Sequence, residues 1–134
     1  MSLFDERLRI LVLEDDLAFQ KQVKGALLSL FQFSVTDTAQ TATQAMTLMN
    51  DTKYDLVIID YQLAGNANGL VFWNVSSKRF PQTTYMLMSG LPELELLGAM
   101  SGHQQAPSFL AKPFSKAELK RHLEKNLHKM KISA

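Results

Sequence analysis

Residues 10–16 read ILVLEDD and residues 56–60 read LVIID, and these two stretches decide the fold class. Each is an unbroken apolar run that ends in acidic residues. A strand that is apolar on both faces is typical of a parallel sheet covered by helices on two sides. The two stretches therefore predict buried strands whose carboxyl ends carry carboxylates.

Apolar runs of this kind alternate with segments of helical periodicity along the chain. Phe19, Val23 and Leu27 recur on one face of a helix, and Ser115 with Glu118 forms the capping-box pattern of a helix start. Strand–helix alternation with short links predicts a doubly wound α/β sandwich, in which ligands bind outside the carboxyl ends of the strands. The strands are predicted at residues 8–13, 33–36, 55–59, 84–88 and 108–111, and the helices at residues 19–30, 42–49, 70–78, 92–101 and 115–127.

Composition excludes several classes of protein. The length of 134 residues suits one domain, and the absence of cysteine excludes disulfides, thiolate metal sites and cysteine nucleophiles. No apolar run reaches the roughly 18 residues of a membrane span, and the N-terminal MSLFDERLR is too charged for a signal peptide. We therefore expect a cytoplasmic protein that binds no membrane.

Charge is distributed unevenly although the total is small. The 14 Lys and Arg and the 13 Asp and Glu leave a net charge of +1, which gives no case for a nucleic-acid-binding protein. Residues 112–134 carry seven Lys or Arg and two Glu, so this end of the chain is basic. Because Glu118 and Glu124 interrupt the basic residues, a solvated helix face is favoured over a nucleic-acid surface. We expect no direct binding of nucleic acid by this chain.

Polar side chains stand where four of the predicted strands end. They are the acids at residues 14–16, Asp60, Ser89 and Lys112. In a parallel sheet these ends meet at one edge. Carboxylates so close repel one another unless a cation joins them, and ligands that offer only oxygen favour Mg²⁺. A carboxylate beside Mg²⁺ and a lysine suits the role of nucleophile towards a phosphoryl group.

Four motifs, in order along the chain, are similar to those of one known family. They are ILVLEDD at residues 10–16, VIIDYQL at residues 57–63, MLMSG at residues 86–90 and LAKPF at residues 110–114. With these motifs the chain resembles the receiver domain of two-component response regulators. The resemblance implies a flavodoxin-like fold, with a five-stranded parallel sheet of order 2-1-3-4-5 in three α/β/α layers. It also implies a single receiver domain over residues 1–134, with its core at about residues 8–127.

The resemblance assigns the phosphorylation chemistry to four residues. Asp60 corresponds to the phosphoacceptor, and Ser89 corresponds to the hydroxyl residue that hydrogen-bonds the phosphoryl group. Lys112, which precedes Pro113, corresponds to the lysine that pairs with that group. Phe109 corresponds to the aromatic residue whose rotamer follows activation.

The same resemblance implies Mg²⁺ as the cofactor, with Asp60 among its ligands. Glu14 and Asp15 match the acidic pair that holds the ion, and Asp15 is the expected direct ligand of the two. The backbone carbonyl of Gln62 matches a further protein ligand. Asp16 falls one position beyond the pair and is expected to cap the first helix.

The function implied is a phosphorylation-controlled signalling switch. A sensor histidine kinase or phosphotransfer protein would donate the phosphoryl group, and the domain would catalyse only its own phosphorylation and autodephosphorylation. The face made by the fourth helix, fifth strand and fifth helix would contact an effector or a second copy, through Leu91, Leu96 and Met100. The chain is expected to be either a stand-alone regulator or a receiver excised from a longer protein, and the abrupt end in a basic tail favours the second.

Two positions depart from the family pattern. Ala64 stands where the family usually has proline, and Gly69 comes one residue later than the usual loop glycine. We therefore expect one extra residue in the loop 64–68, which bears on the position of the Gln62 carbonyl. The acids, the hydroxyl and the lysine of the pattern are all present.

Two other functions fit parts of the sequence. An aspartyl-phosphate-forming phosphatase on a related α/β fold usually needs a second acid two residues after the nucleophile, and this position is Gln62. A non-phosphorylated interaction module that kept the receiver fold would bind no metal. Taken singly, the acids at residues 14–16 also suit a helix N-terminus, Ser89 suits a turn and Lys112 suits the surface.

The histidines, the methionines and the tryptophan suggest no further site. His122 and His128 do not share a helix face, so together with His103 they are expected at the surface. The seven methionines occur at helix or strand positions and predict core packing. Trp73 is likewise expected in the core.

Overall fold

The predicted parallel sheet forms the centre of the fold in a computed structural model, which describes residues 3–63, 68–91 and 107–127. All five strands pair in parallel, in the order β2-β1-β3-β4-β5, and this confirms the predicted topology. The strands are β1 at Arg9–Leu13, β2 at Val35–Ala39, β3 at Leu56–Asp60, β4 at Thr84–Ser89 and β5 at Ser108–Ala111.

Helices cover both faces of the sheet. They are α1 at Leu17–Leu30, α2 at Ala42–Asp51, α3 at Gly69–Arg79 and the C-terminal helix at Lys116–Asn126, and a 3-10 turn at Leu3–Asp5 precedes β1. Each α-helix begins after a polar side chain that accepts a hydrogen bond from the first turn, and these caps are Asp16, Thr41, Asn68 and Ser115. The predicted capping box of Ser115 with Glu118 is present. Within the three described ranges, no helix has both the length and the apolarity to cross a bilayer.

Two apolar clusters, one on each face of the sheet, hold the layers together. Alternate residues of one strand enter different clusters. Ile10 and Val12 pack with α1 and the C-terminal helix, whereas Leu11 and Leu13 pack with α2 and α3. This burial on both faces explains why the strands read as continuous apolar runs. Trp73 is buried in the second of these clusters, as predicted.

The second strand differs from its prediction. It spans Val35–Ala39 rather than residues 33–36, and Phe33 is exposed. All five of its residues pair with β1, so the register with that neighbour sets its bounds. Only part of this strand is buried, and its polar composition carries too weak a β signal to locate the ends from sequence.

Some predicted features lie outside the described residues. These are the helix at residues 92–101 with Leu96 and Met100, Ala64 with most of the loop 64–68, and His103 and His128. The last loop residue is described, and Asn68 forms an isolated antiparallel bridge with Gln62. Gln62 and Asn68 therefore lie next to each other beside the end of β3.

Gly69 packs the start of α3 against the end of β3. Its N–H donates to the Tyr61 carbonyl at 2.7 Å. A Cβ atom at position 69 would lie 2.3 Å from the Asp60 carbonyl oxygen and 2.9 Å from Cγ2 of Ile59. Since a side chain cannot approach a backbone so closely, glycine is required here, and the contact fixes α3 beside Asp60.

We predict that Gly69→Ala lowers the free energy of unfolding by about 2–3 kcal/mol, because the new methyl group overlaps the backbone of β3. The matched control is Gly25→Ala in α1, where an added Cβ meets no atom within 4 Å. That variant should raise the free energy of unfolding by about 0.5–1 kcal/mol, since alanine favours the helix. Urea unfolding measures both values, and a loss at Gly69 no larger than the change at Gly25 would contradict the close approach.

Candidate functional site

The polar residues predicted to converge do meet at the carboxyl edge of the sheet. Glu14 follows β1, Asp60 ends β3, and Lys112 follows β5. The Glu14 and Asp60 side chains are 0% and 4% exposed, so they face the interior of the molecule rather than the solvent. A buried carboxylate is costly unless it is paired, and this explains why the partners of these two acids matter.

Three carboxylates form one cluster at this edge. One oxygen from each of Glu14, Asp15 and Asp60 lies within 4.8 Å of the other two. The sequence therefore predicted correctly which acids come together. Three oxygen donors at this separation, without nitrogen or sulfur, suit a hard divalent cation, and they fit Mg²⁺ better than a transition metal.

Lys112 supplies the positive charge within this cluster. Its Nζ lies 2.5 Å from Oε1 of Glu14 and 3.2 Å from Oδ1 of Asp60. The pairing with Asp60 agrees with the expected position of the lysine beside the phosphoacceptor. The pairing with Glu14 was not predicted, because the sequence suggested only a metal-binding role for that acid.

The crowded charges change the acidity of the cluster. Burial, together with a hydrogen bond to Asp60, raises the pKa of Glu14, and the Lys112 ammonium offsets only part of this rise. Burial and the nearby Glu14 raise the pKa of Asp15. Burial alone would lower the pKa of Lys112, but its bonds and attraction to Glu14 and Asp60 outweigh burial and raise it. The lysine therefore stays charged, while Glu14 and Asp15 favour a further cation or proton.

Backbone and side-chain hydrogen bonds fix Glu14 at the end of β1. Its N–H donates to the Ala39 carbonyl at 3.0 Å. Nε2 of the buried Gln20 donates to the carbonyls of Glu14 at 3.0 Å and of Ala39 at 3.2 Å. The side chain of Gln20 thus ties the loop after β1 to the end of β2. The sequence signal that could have identified this role is a glutamine in the first turn of the helix that follows the acidic residues 14–16.

Asp16 has the separate role that was predicted for it. Its side chain is exposed and accepts hydrogen bonds from the N–H groups of Ala18 at 2.9 Å and Phe19 at 3.3 Å. It therefore caps α1 and is not one of the three clustered acids.

Gln62 follows β3 by two residues and Ser89 ends the neighbouring strand β4, so both lie near Asp60. Ser89 is buried at the end of β4, one residue beyond the strand partner of Asp60, and its Oγ accepts a hydrogen bond from the Leu91 N–H at 3.0 Å. The Gln62 N–H donates to Oδ1 of Asp60 at 3.3 Å, and its side chain is exposed. The phosphoryl and metal contacts of Ser89 and the Gln62 carbonyl stay predictions.

Phe109 lies in β5, and His122 lies against that strand. Phe109 is half-buried in β5 and packs against the cluster on the α2 and α3 face, and its movement on activation stays a prediction. His122 is also half-buried, with Nε2 3.1 Å from Ser108 Oγ, so the expected surface position is wrong for this histidine. It lies on the C-terminal helix against β5, and burial there, together with the charge of Lys125, lowers its pKa.

Phe19 is a residue near the cluster whose role the sequence did not reveal. Its helical spacing predicted only core packing, and it does pack on the α1 face. Its ring centroid also lies 4.5 Å from Lys112 Nζ. Nothing in the sequence pairs positions 19 and 112, because the contact depends on how α1 lies across the end of β5.

Comparisons with known proteins agree with this geometry. A family model described as the response regulator receiver domain matches residues 10–124. A signal receiver domain of an HD domain-containing protein from Pseudomonas fluorescens Pf-5 superposes with a TM-score of 0.81 at 26% identity, over 93% of this chain and 98% of that one. The comparison with curated proteins found no match.

Two further solved structures are similar to the chain. NtrX from Brucella abortus has a TM-score of 0.81 at 28% identity, over 93% of this chain, and this chain spans only 28% of the NtrX chain. A CheY-like receiver domain from Methanospirillum hungatei JF-1, at 22% identity and a TM-score of 0.79, covers 93% of this chain and 97% of its own, and it supports the fold. The family model covers most of the 134 residues, and the chain therefore belongs to the response regulator receiver domain family, whose members act in phosphorylation-dependent signalling.

Proposed function

We propose that the chain is a signalling switch that accepts a phosphoryl group on Asp60. The observation that carries this proposal is the placement of the Asp60 carboxylate within 4.8 Å of two other acids and 3.2 Å from the Lys112 ammonium. A lone buried carboxylate would be a poor site for a phosphate dianion. A carboxylate flanked by a fixed ammonium and by donors for a cation can bear the added charge.

The reaction requires little of the protein beyond this arrangement. An oxygen of Asp60 would bond to phosphorus while the bond from phosphorus to a histidine nitrogen of the donor breaks. The electron pair stays on the imidazole of the donor, which then takes up a proton. Lys112 lies beside the Asp60 carboxylate and would neutralise charge on the incoming group. The phosphoryl donor would be a sensor histidine kinase or a phosphotransfer protein.

Receiver domains bind Mg²⁺ at an acidic pocket, and the donor set of this chain fits that ion. We propose Asp15, Asp60 and the Gln62 carbonyl as its protein ligands, with Glu14 behind them. Mg²⁺ retains several waters and suits a site that supplies only a few protein oxygens. When bound, the ion would neutralise negative charge on the phosphoryl oxygens.

The output of the switch would be a change of surface. We propose that a phosphoryl group on Asp60 draws the Ser89 hydroxyl towards it and that Phe109 moves in response. Leu91 is the described residue of the proposed contact surface for an effector or a second copy, and its N–H already bonds to Ser89. A phosphatase is less well supported, because position 62 carries an exposed amide instead of a general acid. We propose one receiver domain over residues 1–134.

Asp60→Asn is predicted to abolish the gain of about 80 Da that acetyl phosphate and Mg²⁺ produce, because the bond to phosphorus needs a carboxylate oxygen. Intact-protein mass spectrometry measures the gain. Asp51→Asn, at an exposed position at the end of α2, is the control and should be modified like the wild type. An undiminished gain in Asp60→Asn would contradict the assignment.

Asp15→Asn is predicted to weaken Mg²⁺ binding and to slow phosphorylation, since it removes a direct ligand. The loss of affinity should be at least as large as the roughly 10- to 100-fold loss typical of outer-shell residues. Asp16→Asn is a closely matched control, because it changes the adjacent acid and asparagine caps a helix equally well. Calorimetric titration with Mg²⁺ compares the two variants. Equal affinities in both would place the ion elsewhere.

Leu91→Ala is predicted to speed hydrolysis of the phosphorylated protein. Leu91 is half-buried beside Ser89 and would exclude the water that must reach phosphorus in line, and exclusion outweighs any orientation of water by Gln62. Gln62→Ala should hydrolyse no faster than the wild type. The loss of the phosphorylated mass with time measures the rate, and Val75→Ala, at an exposed apolar position on α3, is the control. A wild-type rate in Leu91→Ala would refute the shielding.

A further inference from the structure

The Lys112 ammonium is bounded by an aromatic ring as well as by acids. Its Nζ lies 4.5 Å from the centroid of the Phe19 ring, inside the roughly 6 Å over which a cation is attracted to a ring face. The same ammonium is paired with Glu14 and Asp60, and the side chain is 20% exposed. Two carboxylates and one ring thus enclose most of the charged group.

The Phe19 ring is held in place by two neighbours. Its backbone N–H donates to the capping carboxylate of Asp16 at 3.3 Å. Its ring meets the ring of Phe114 edge to face, with centroids 5.4 Å apart and planes at 85°, which is a favourable aromatic geometry. Because Phe114 belongs to the segment that follows Lys112, the ring and the lysine are fixed relative to each other.

A lysine gains more from such support than a rigid side chain would. Its four-carbon stem is flexible, and holding the ammonium at one point costs conformational entropy. The acids attract the ammonium from one side. Because either carboxylate can pair with it, the acids alone would allow the ammonium to shift between Glu14 and Asp60. The Phe19 ring limits the movement of the ammonium on another side, because the face of the ring carries partial negative charge that attracts a cation. An aliphatic side chain of similar volume offers no such attraction.

We infer that Phe19 is a positioning residue whose ring face holds the Lys112 ammonium beside Asp60 and thereby raises the rate at which Asp60 accepts a phosphoryl group. The ring acts through Lys112 and has no direct part in the transfer. The inference rests on the proposed function, because that transfer is the reaction whose rate it concerns.

Two substitutions distinguish the effect of the aromatic ring of Phe19 from the effect of its apolar volume. Phe19→Leu keeps an apolar side chain without a ring, and Phe19→Tyr keeps the ring. With acetyl phosphate and Mg²⁺, the initial rate of phosphorylation should fall about fivefold in Phe19→Leu and stay within about twofold of the wild type in Phe19→Tyr, the sizes expected from losing or keeping one cation–π contact. In proton NMR spectra, the Cε protons of Lys112 should be shifted upfield by the ring in the wild type and in Phe19→Tyr, and the shift should be lost in Phe19→Leu.

The controls test whether the effect passes through Lys112. Phe4 lies 5.9 Å from Lys120 Nζ in the same kind of contact, and Phe4→Leu should leave the rate unchanged. In a Lys112→Ala background, Phe19→Leu should change the residual rate by less than about 1.5-fold, because coupled residues do not add. If Phe19→Leu fails to fold in thermal melts, Phe114→Leu removes the edge contact instead and should give a smaller loss of rate and of the upfield shift.

Each outcome bears on the inference. Equal losses in Phe19→Leu and Phe19→Tyr, or a fivefold loss that persists in the Lys112→Ala background, would overturn the role of the ring. An unchanged rate in Phe19→Leu would also overturn it, while phosphorylation of the wild type on Asp60 would leave the proposed function intact. No mass gain in the wild type would overturn the proposed function and this inference together.

Discussion

Three carboxylates in one cleft repel one another, and the Lys112 ammonium is the positive charge set against them. Glu14 and Asp60 are almost fully buried, and each would destabilise the fold if left without a partner. Lys112 contacts both and so joins the ends of β1, β3 and β5 at one point. Among the described residues, one ammonium faces three acids, and a divalent cation would neutralise the excess of negative charge that remains.

The parallel sheet makes this arrangement possible because its strands end together. Apolar side chains on both faces hold the strands between two layers of helices, so the strand ends cannot move independently. Gln20 then ties the loop after β1 to the end of β2, and Gly69 brings α3 against the backbone of Asp60. Uncharged groups therefore help Lys112 to position the acids.

The same contacts suggest how the site would respond to phosphorylation. In the described structure, Lys112 is shared between Glu14 and Asp60. Under the proposed function, a phosphoryl dianion on Asp60 would compete with Glu14 for this ammonium, and Phe19 would keep the lysine within reach of both. The Ser89 hydroxyl, which now accepts a bond from the Leu91 N–H, is the neighbouring group free to change partners. Phosphorylation of Asp60 would in this way alter the conformation of the surface near Leu91.

The sequence alone determined the sheet, its strand order through the family resemblance, and the acids at the strand ends. Apolar runs closed by Glu14 and Asp60, and cap patterns such as Ser115 with Glu118, are local signals that need no knowledge of packing. Only the tertiary structure decided that Lys112 pairs with Glu14, 98 positions away, that Phe19 lies against the same ammonium, and that His122 is half-buried. These contacts join distant segments, so they depend on how α1 and the C-terminal helix lie on the sheet. The spacing of residues in the sequence does not predict that packing.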